Sequence, residues 1–182
     1  MRTLVAILIG AAALLAADGP RRAPGFALPD GRMKLFDLYD YRGKPVILEF
    51  MQTTCPHCAG FTSVLGKVQE KYGDKVTILA VANPPDNQAT VGQFIAGHKI
   101  TYPILFDMGQ VAYSYILKPS FDLPQVFLID ARGMIYNSFG YSPMTRDIFE
   151  GNGLMVEVDR MLAQSGSTTS APAPRSSPSK KN

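Results

Sequence analysis

Tryptophan is absent from this 182-residue sequence, cysteine and histidine occur twice each, and charged residues make up only 18% of it. Two cysteines cannot build the disulfide framework of a small secreted scaffold, and with 46% apolar residues the chain can form a core without one. A four-ligand structural zinc site is equally out of reach, because His57 is pinned between the cysteines and His98 stands alone. The formal net charge of +3 comes from the ends, from Arg2 and from Arg175, Lys180 and Lys181 in a stretch without acids. The body is therefore near neutral and carries no electrostatic footprint for nucleic acid.

Also missing is an uninterrupted apolar run of the roughly 20 residues that a membrane-spanning helix needs. The stretch from Leu4 to Ala17 falls short of that. With Met1-Arg2-Thr3 before it and Asp18-Gly19-Pro20-Arg21-Arg22 after it, it has the layout of a secretory signal. Residues 1–17 are thus read as a signal peptide or, since cleavage after Ala17 would put Leu15 where a small residue is preferred, as an uncleaved N-terminal anchor. Residues 18–24 read as a linker and 25–164 as a single domain. From Ser165 to Asn182 a Ser, Pro and Lys tail has no large apolar side chain to offset the entropy of ordering it, and is expected to be disordered.

Within 25–164, strand-like runs alternate with helical patterns. Val46-Ile47-Leu48-Glu49-Phe50-Met51 has the near-continuous apolarity of a strand covered on both faces. From Pro56 the period changes, and Phe61, Val64, Leu65, Val68 and Tyr72 fall on one helical face that Gly73-Asp74 ends. Val76 to Ala82 predicts a second buried strand, parallel to the first. After the break Asn83-Pro84-Pro85-Asp86, a helix is expected from about Gln88 to Ala96, a short extended segment from Tyr102 to Phe106, and a helix within Gly109 to Leu117. Gln125 to Asp130, the turn Ala131-Arg132-Gly133 and Met134 to Phe139 read as a hairpin. A last amphipathic helix carries Leu154, Met155, Val158, Met161 and Leu162. The sum is an α/β domain, a central mixed β-sheet with helices on both faces.

Both cysteines lie in Cys55-Pro56-His57-Cys58, at the junction of the first strand and the first long helix. Pro56 suits the first helical position. Unpaired N–H groups and the positive end of the helix dipole favour a thiolate on Cys55, whereas Cys58, one turn in, is expected to be sheltered. An exposed acidic thiol beside a sheltered one suits thiol–disulfide exchange, with Cys55 as nucleophile and Cys58 as the resolving thiol. A permanent staple is the poorer explanation, since closing a loop of about four residues stabilises by only about 2 kcal/mol. His57 adds a partly charged imidazole that favours the Cys55 thiolate and hence the reduced pair.

The strand ending at Phe50, the Cys-Pro-His-Cys helix start and the Leu123-Pro124 ahead of Val-Phe-Leu-Ile-Asp resemble the thioredoxin fold, a three-layer sandwich. Phe26-Ala27-Leu28-Pro29-Asp30-Gly31, Gly43-Lys44-Pro45 and an insert around Asn83 to His98 further resemble the exported TlpA-like branch of thiol–disulfide oxidoreductases. The resemblance spans Gly25 to Gln164. It implies that Pro124 is the cis-proline beside the cysteine pair and that Leu123 and Pro124 hold a bound substrate backbone. It also implies that Glu49, six residues before Cys55, is a buried acid that accepts the Cys58 proton. A carboxyl in such a strand has a raised pKa. Pro56-His57 is the dipeptide of DsbA-type disulfide oxidases. The sequence departs from the family in having Met51-Gln52-Thr53-Thr54 where tryptophan usually precedes the first cysteine, and Leu123 where threonine or valine is commoner. Gln52 also stands where a peroxiredoxin needs threonine.

The expected activity is exchange of disulfides with cysteine-containing client proteins, outside the cytoplasm, in the periplasm or cell envelope. No cofactor is implied beyond a redox-active Cys55–Cys58 disulfide. The TlpA-like body favours a reductase supplied by a membrane electron donor. Pro-His favours an oxidase served by an acceptor. From another class, thiolates with His57 or His98 would suit a Cu(I)-binding or delivery module.

Overall fold

In the computed structural model, which describes residues 21–117 and 122–167, the apolar run at Val46 becomes the centre of the molecule. Strand β3 is Val46–Met51 and every residue of it is buried. Before it, β1 (Ala27–Pro29) and β2 (Leu35–Asp37) form a separate antiparallel hairpin. After it come α1 (Pro56–Tyr72), β4 (Thr77–Ala82), α2 (Gln88–His98), β5 (Ile104–Phe106) and α3 (Gln110–Tyr115). The hairpin β6 (Gln125–Ile129) and β7 (Ile135–Gly140) and the helices α4 (Arg146–Glu150) and α5 (Gly153–Ser167) complete the fold.

The main sheet has the order β5-β4-β3-β6-β7, with β3, β4 and β5 parallel and β6 antiparallel to β3. Because side chains alternate along β3, Ile47 and Met51 enter one core with Phe61, Leu65, Phe94 and Val158 from α1, α2 and α5. Val46, Leu48 and Phe50 enter the other, beneath Tyr115 of α3 and Phe26. This is the expected thioredoxin-like three-layer sandwich. The stretch expected as an insert consists of the Asn83–Asp86 break and α2, which carries the chain from β4 to β5.

Local chemistry sets the boundaries. Asn87 caps α2 in a reciprocal box with Thr90, and its last turn runs to His98, two residues past the expected end, because Lys99 takes the left-handed conformation that stops it. Asp130 holds the β6–β7 turn by accepting from the N–H groups of Arg132 and Met134.

Two boundaries need correction. Residues 21–24, expected as linker, dock on the body: Ile135 N–H donates to the Arg21 carbonyl, Ala23 N–H to that of Gly133, and Ala23 is buried. The outer edge of the sheet offered unpaired backbone groups, and this segment satisfies them. At the other end α5 continues to Ser167, past the expected boundary at Gln164, because a helix already docked through Leu154, Val158 and Met161 can extend by further backbone bonds. Helix α4 was not expected at all. The signal or anchor (1–17) and the rest of the tail lie outside the described residues, among which no helix is long and apolar enough to cross a membrane.

Candidate active site

Strand β3 delivers Cys55 to the mouth of α1. Cys55 is the N-cap of that helix, extended at φ −84° and ψ 115°, with Pro56 opening the first turn. Its Sγ accepts from the N–H of Cys58 at 3.2 Å and lies 3.6 Å from the Leu123 carbonyl, to which the thiol donates. Both cysteines are free thiols, Cys55 half-buried and Cys58 fully buried. The Cys58 thiol is pushed far up by burial first, then by the negative charge of Glu49.

Glu49 is 1% exposed, its Oε1 has no hydrogen-bond partner, and burial pushes its carboxyl up to about 8. Its strand neighbours are Ala80 on β4 and Val126 on β6, neither of which offers a polar side chain. A carboxyl that titrates near 8 is poised to exchange a proton at neutral pH.

On the opposite side of the pair lies the turn into β6. The Leu123–Pro124 peptide bond is cis, Leu123 packs beside Cys55, and the Pro124 carbonyl accepts from Tyr141 N–H at 3.1 Å. Tyr141 also stacks its ring on His57, with centroids 3.7 Å apart and planes at 19°. Its hydroxyl donates to Glu150 at 2.7 Å, and Arg146 pairs with the same carboxylate at 2.6 Å, holding Glu150 below the usual carboxylate range. The approach to Cys55 is tied down by Asp86, which accepts from the N–H of Thr53 at 2.7 Å.

The structure therefore brings together Cys55, Pro56, His57, Cys58, Glu49, Leu123 and Pro124. His98 is not among them, since it closes α2 against Phe94. Among the described residues no three His, Cys, Asp or Glu side chains group to hold a metal ion. Sequence reasoning missed Tyr141, Glu150 and Asp86. Asp86 and Tyr141 had no signal, because their partners Thr53 and His57 are remote in sequence, whereas the Arg146–Glu150 pair at i,i+4 was readable as a helical ion pair but nothing local tied it to the site. Gln52, Pro84, Met108, Tyr113 and Leu123 line a cavity of about 420 Å³.

A half-exposed thiol at a helix start, a buried partner one turn on and a cis-proline facing them, all on this sheet, define a thiol–disulfide oxidoreductase of the thioredoxin fold. The chain belongs to the AhpC/TSA family, whose sequence profile matches residues 20–138. It is 26% identical over 132 residues to the thiol–disulfide oxidoreductase ResA of Bacillus cereus, covering 72% of this chain and 74% of that one. Among solved structures it resembles a candidate thiol:disulfide interchange protein DsbE from Chlorobium tepidum, with a TM-score of 0.68 and 25% identity over 79% of this chain and 96% of the other. A secreted Mycobacterium tuberculosis disulfide oxidoreductase shares the fold, with a TM-score of 0.59 and 20% identity over 71% of this chain and 95% of that one.

Proposed function

We propose that this protein works outside the cytoplasm as a reductase of disulfides in client proteins, resupplied with electrons by a membrane donor. The observation that carries the reading is the split environment of the two thiols: Cys55 is reachable beside the Leu123 carbonyl and Pro124, while Cys58 is buried within the influence of Glu49. Cys55 attacks a client disulfide as the thiolate, the S–S bond of the client breaks, one client sulfur leaves as a thiolate and takes a proton from solvent, and a mixed disulfide forms. Glu49 accepts the Cys58 proton, Cys58 attacks Cys55, and the second client sulfur leaves. The client gains two electrons and the cysteine pair becomes the disulfide. While a client is bound, Leu123 and Pro124 lie along its backbone.

Export is supported by the secretory layout of residues 1–17 and by the likeness to a secreted oxidoreductase. The reductive direction follows the resemblance of the body to the TlpA-like branch. The Pro-His dipeptide and the Tyr141 stack on His57 favour the opposite direction, that of a DsbA-type oxidase.

The reduction potential of the pair, read by thiol alkylation and mass in graded glutathione buffers, decides between them. A value near or below about −250 mV is expected for the reductase, and one near or above about −150 mV would make the protein an oxidant. A Cu(I) module would take up one Cu(I) through both thiols without catalysing exchange.

A further inference from the structure

Met108, 87% exposed in the loop after β5, and Tyr113, 64% exposed on α3, are large apolar side chains that line one and the same cavity, of about 420 Å³. Local backbone chemistry sets them there. Gly109 opens α3 in the left-handed conformation at φ 94°, and its carbonyl accepts from the N–H of Tyr113 at 3.1 Å. On another wall of the cavity, Gln52 donates from Nε2 to the Pro84 carbonyl. Among the described residues that line it, none is charged. Apolar side chains left in water around a concavity, rather than scattered singly, mark a place where something binds.

Two residues join this cavity to the chemistry. Leu123 packs beside Cys55, with its carbonyl 3.6 Å from Cys55 Sγ, and it also lines the cavity. Gln52 lines the cavity too, and its carbonyl accepts from the N–H of Cys55 at 3.1 Å. A client whose sulfur reaches Cys55 therefore has neighbouring chain beside the cavity. In an extended chain, side chains two residues apart point the same way and lie about 7 Å from each other. That spacing spans a single residue, and a single residue, Leu123, lies between the thiol and the cavity.

We infer that this cavity is a specificity pocket of the exchange reaction, taking a large apolar side chain that stands two residues from the client's reactive cysteine, with Met108 and Tyr113 as the residues that select it. The inference rests on the reading of the protein as one that exchanges disulfides with clients. A charged client side chain would lose hydration against this lining and find no counter-ion there. A small polar one would leave the cavity wet and bury little surface. The unbranched thioether of Met108 adapts to different apolar shapes, and Tyr113 offers a flat ring, so leucine, methionine and phenylalanine are all admitted. The selectivity is modest because the cavity is open on one side: burial of such a side chain favours it over serine about tenfold.

The test uses the full-length reduced protein and its Met108→Ser and Tyr113→Ser variants. The probes are short peptides whose one cysteine is joined by a disulfide to a coloured aromatic thiol, with Phe, Leu, Ser or Glu two residues before or after that cysteine. The Cys55 thiolate attacks the peptide sulfur, the bond to the aromatic sulfur breaks, and the aromatic thiolate leaves, so its absorbance reports the attack. Cys58 then attacks Cys55 and the peptide leaves as its thiol. At one of the two positions the wild type should take the Phe and Leu probes about tenfold faster than the Ser and Glu probes, through a lower KM. Each variant should bring that ratio down to about threefold or less. Equal rates for all probes in the wild type, or an undiminished ratio in either variant, would overturn the inference while leaving exchange through Cys55 in place. Dimerisation of the wild type in sedimentation that both variants abolish would assign the pocket to a second copy of the chain and overturn it as well. Release of the aromatic thiolate as fast in Cys55→Ala as in the wild type would overturn the exchange reading itself.

Discussion

The two cysteines stand three residues apart, but the walls around them have little in common. Cys55 faces polar groups: the Leu123 carbonyl at 3.6 Å, the Cys58 N–H at 3.2 Å, and an exposed neighbour, His57, stacked on Tyr141. Cys58 faces the Phe61 and Leu65 side of α1, with Glu49 and Tyr102 as buried polar groups that lack partners. The contrast comes from the helix start itself. An N-cap residue is extended and lies outside the helix, whereas the third residue after it is already on the helical face that turns to the sheet. Burial opposes ionisation on the second side, which suits the reachable thiol to attack and the sheltered one to resolution.

The largest effect should come from exchanging the sides' roles for nothing. Cys55→Ala should abolish exchange with a mixed-disulfide probe, whereas Cys58→Ala should still form a mixed disulfide and then stall, visible as an adduct by mass. If Cys55→Ala keeps full exchange, the assignment of attack to the exposed side is wrong.

Next in size is the buried acid. General base catalysis contributes about 10²- to 10⁴-fold, so Glu49→Gln should slow resolution by roughly a hundredfold at pH 8. The wild-type rate should rise with pH until Glu49 is ionised, near 8, and that rise should vanish in the variant. Stability has the opposite sign. Glu49 keeps its proton up to about 8 in the folded chain and only to its ordinary 4.5 when unfolded. Between those values the folded state binds more protons, so the contribution of Glu49 is fully present below about 4.5 and is lost as pH rises through about 8. The loss is about 5 kcal/mol at most, from some 3.5 units at 1.36 kcal/mol each. Glu49→Gln should therefore unfold at higher denaturant than the wild type above pH 8, and the gap should close toward pH 5.

What could be read without coordinates follows the same division. The Cys58 side was legible: the apolar run of β3 and the helical period from Phe61 to Tyr72 fix which face of α1 is buried, and Glu49 falls within that strand. The Cys55 side was legible only where it is local in sequence, at Pro56 and His57. Tyr141 and Glu150 arrive there because β7 ends beside the turn at Pro124 and α4 follows it, a placement that depends on the antiparallel addition of β6 and β7 to β3.

The smallest effect should come from the exposed side, where solvent screens most of what His57 and its neighbours do. With ring centroids at 3.7 Å, the phenol face of Tyr141 lies against the imidazole and attracts it whenever it is charged. A charged imidazole next to Cys55 stabilises its thiolate and so the reduced pair, which raises the potential. Tyr141→Leu should therefore lower the potential, by at most about 20 mV. The shift should shrink in high salt, which screens charge at exposed positions. A fall of the same size in high salt would mean that Tyr141 acts through its ring contact with Phe149 instead, and the electrostatic account of the exposed side would have to be abandoned.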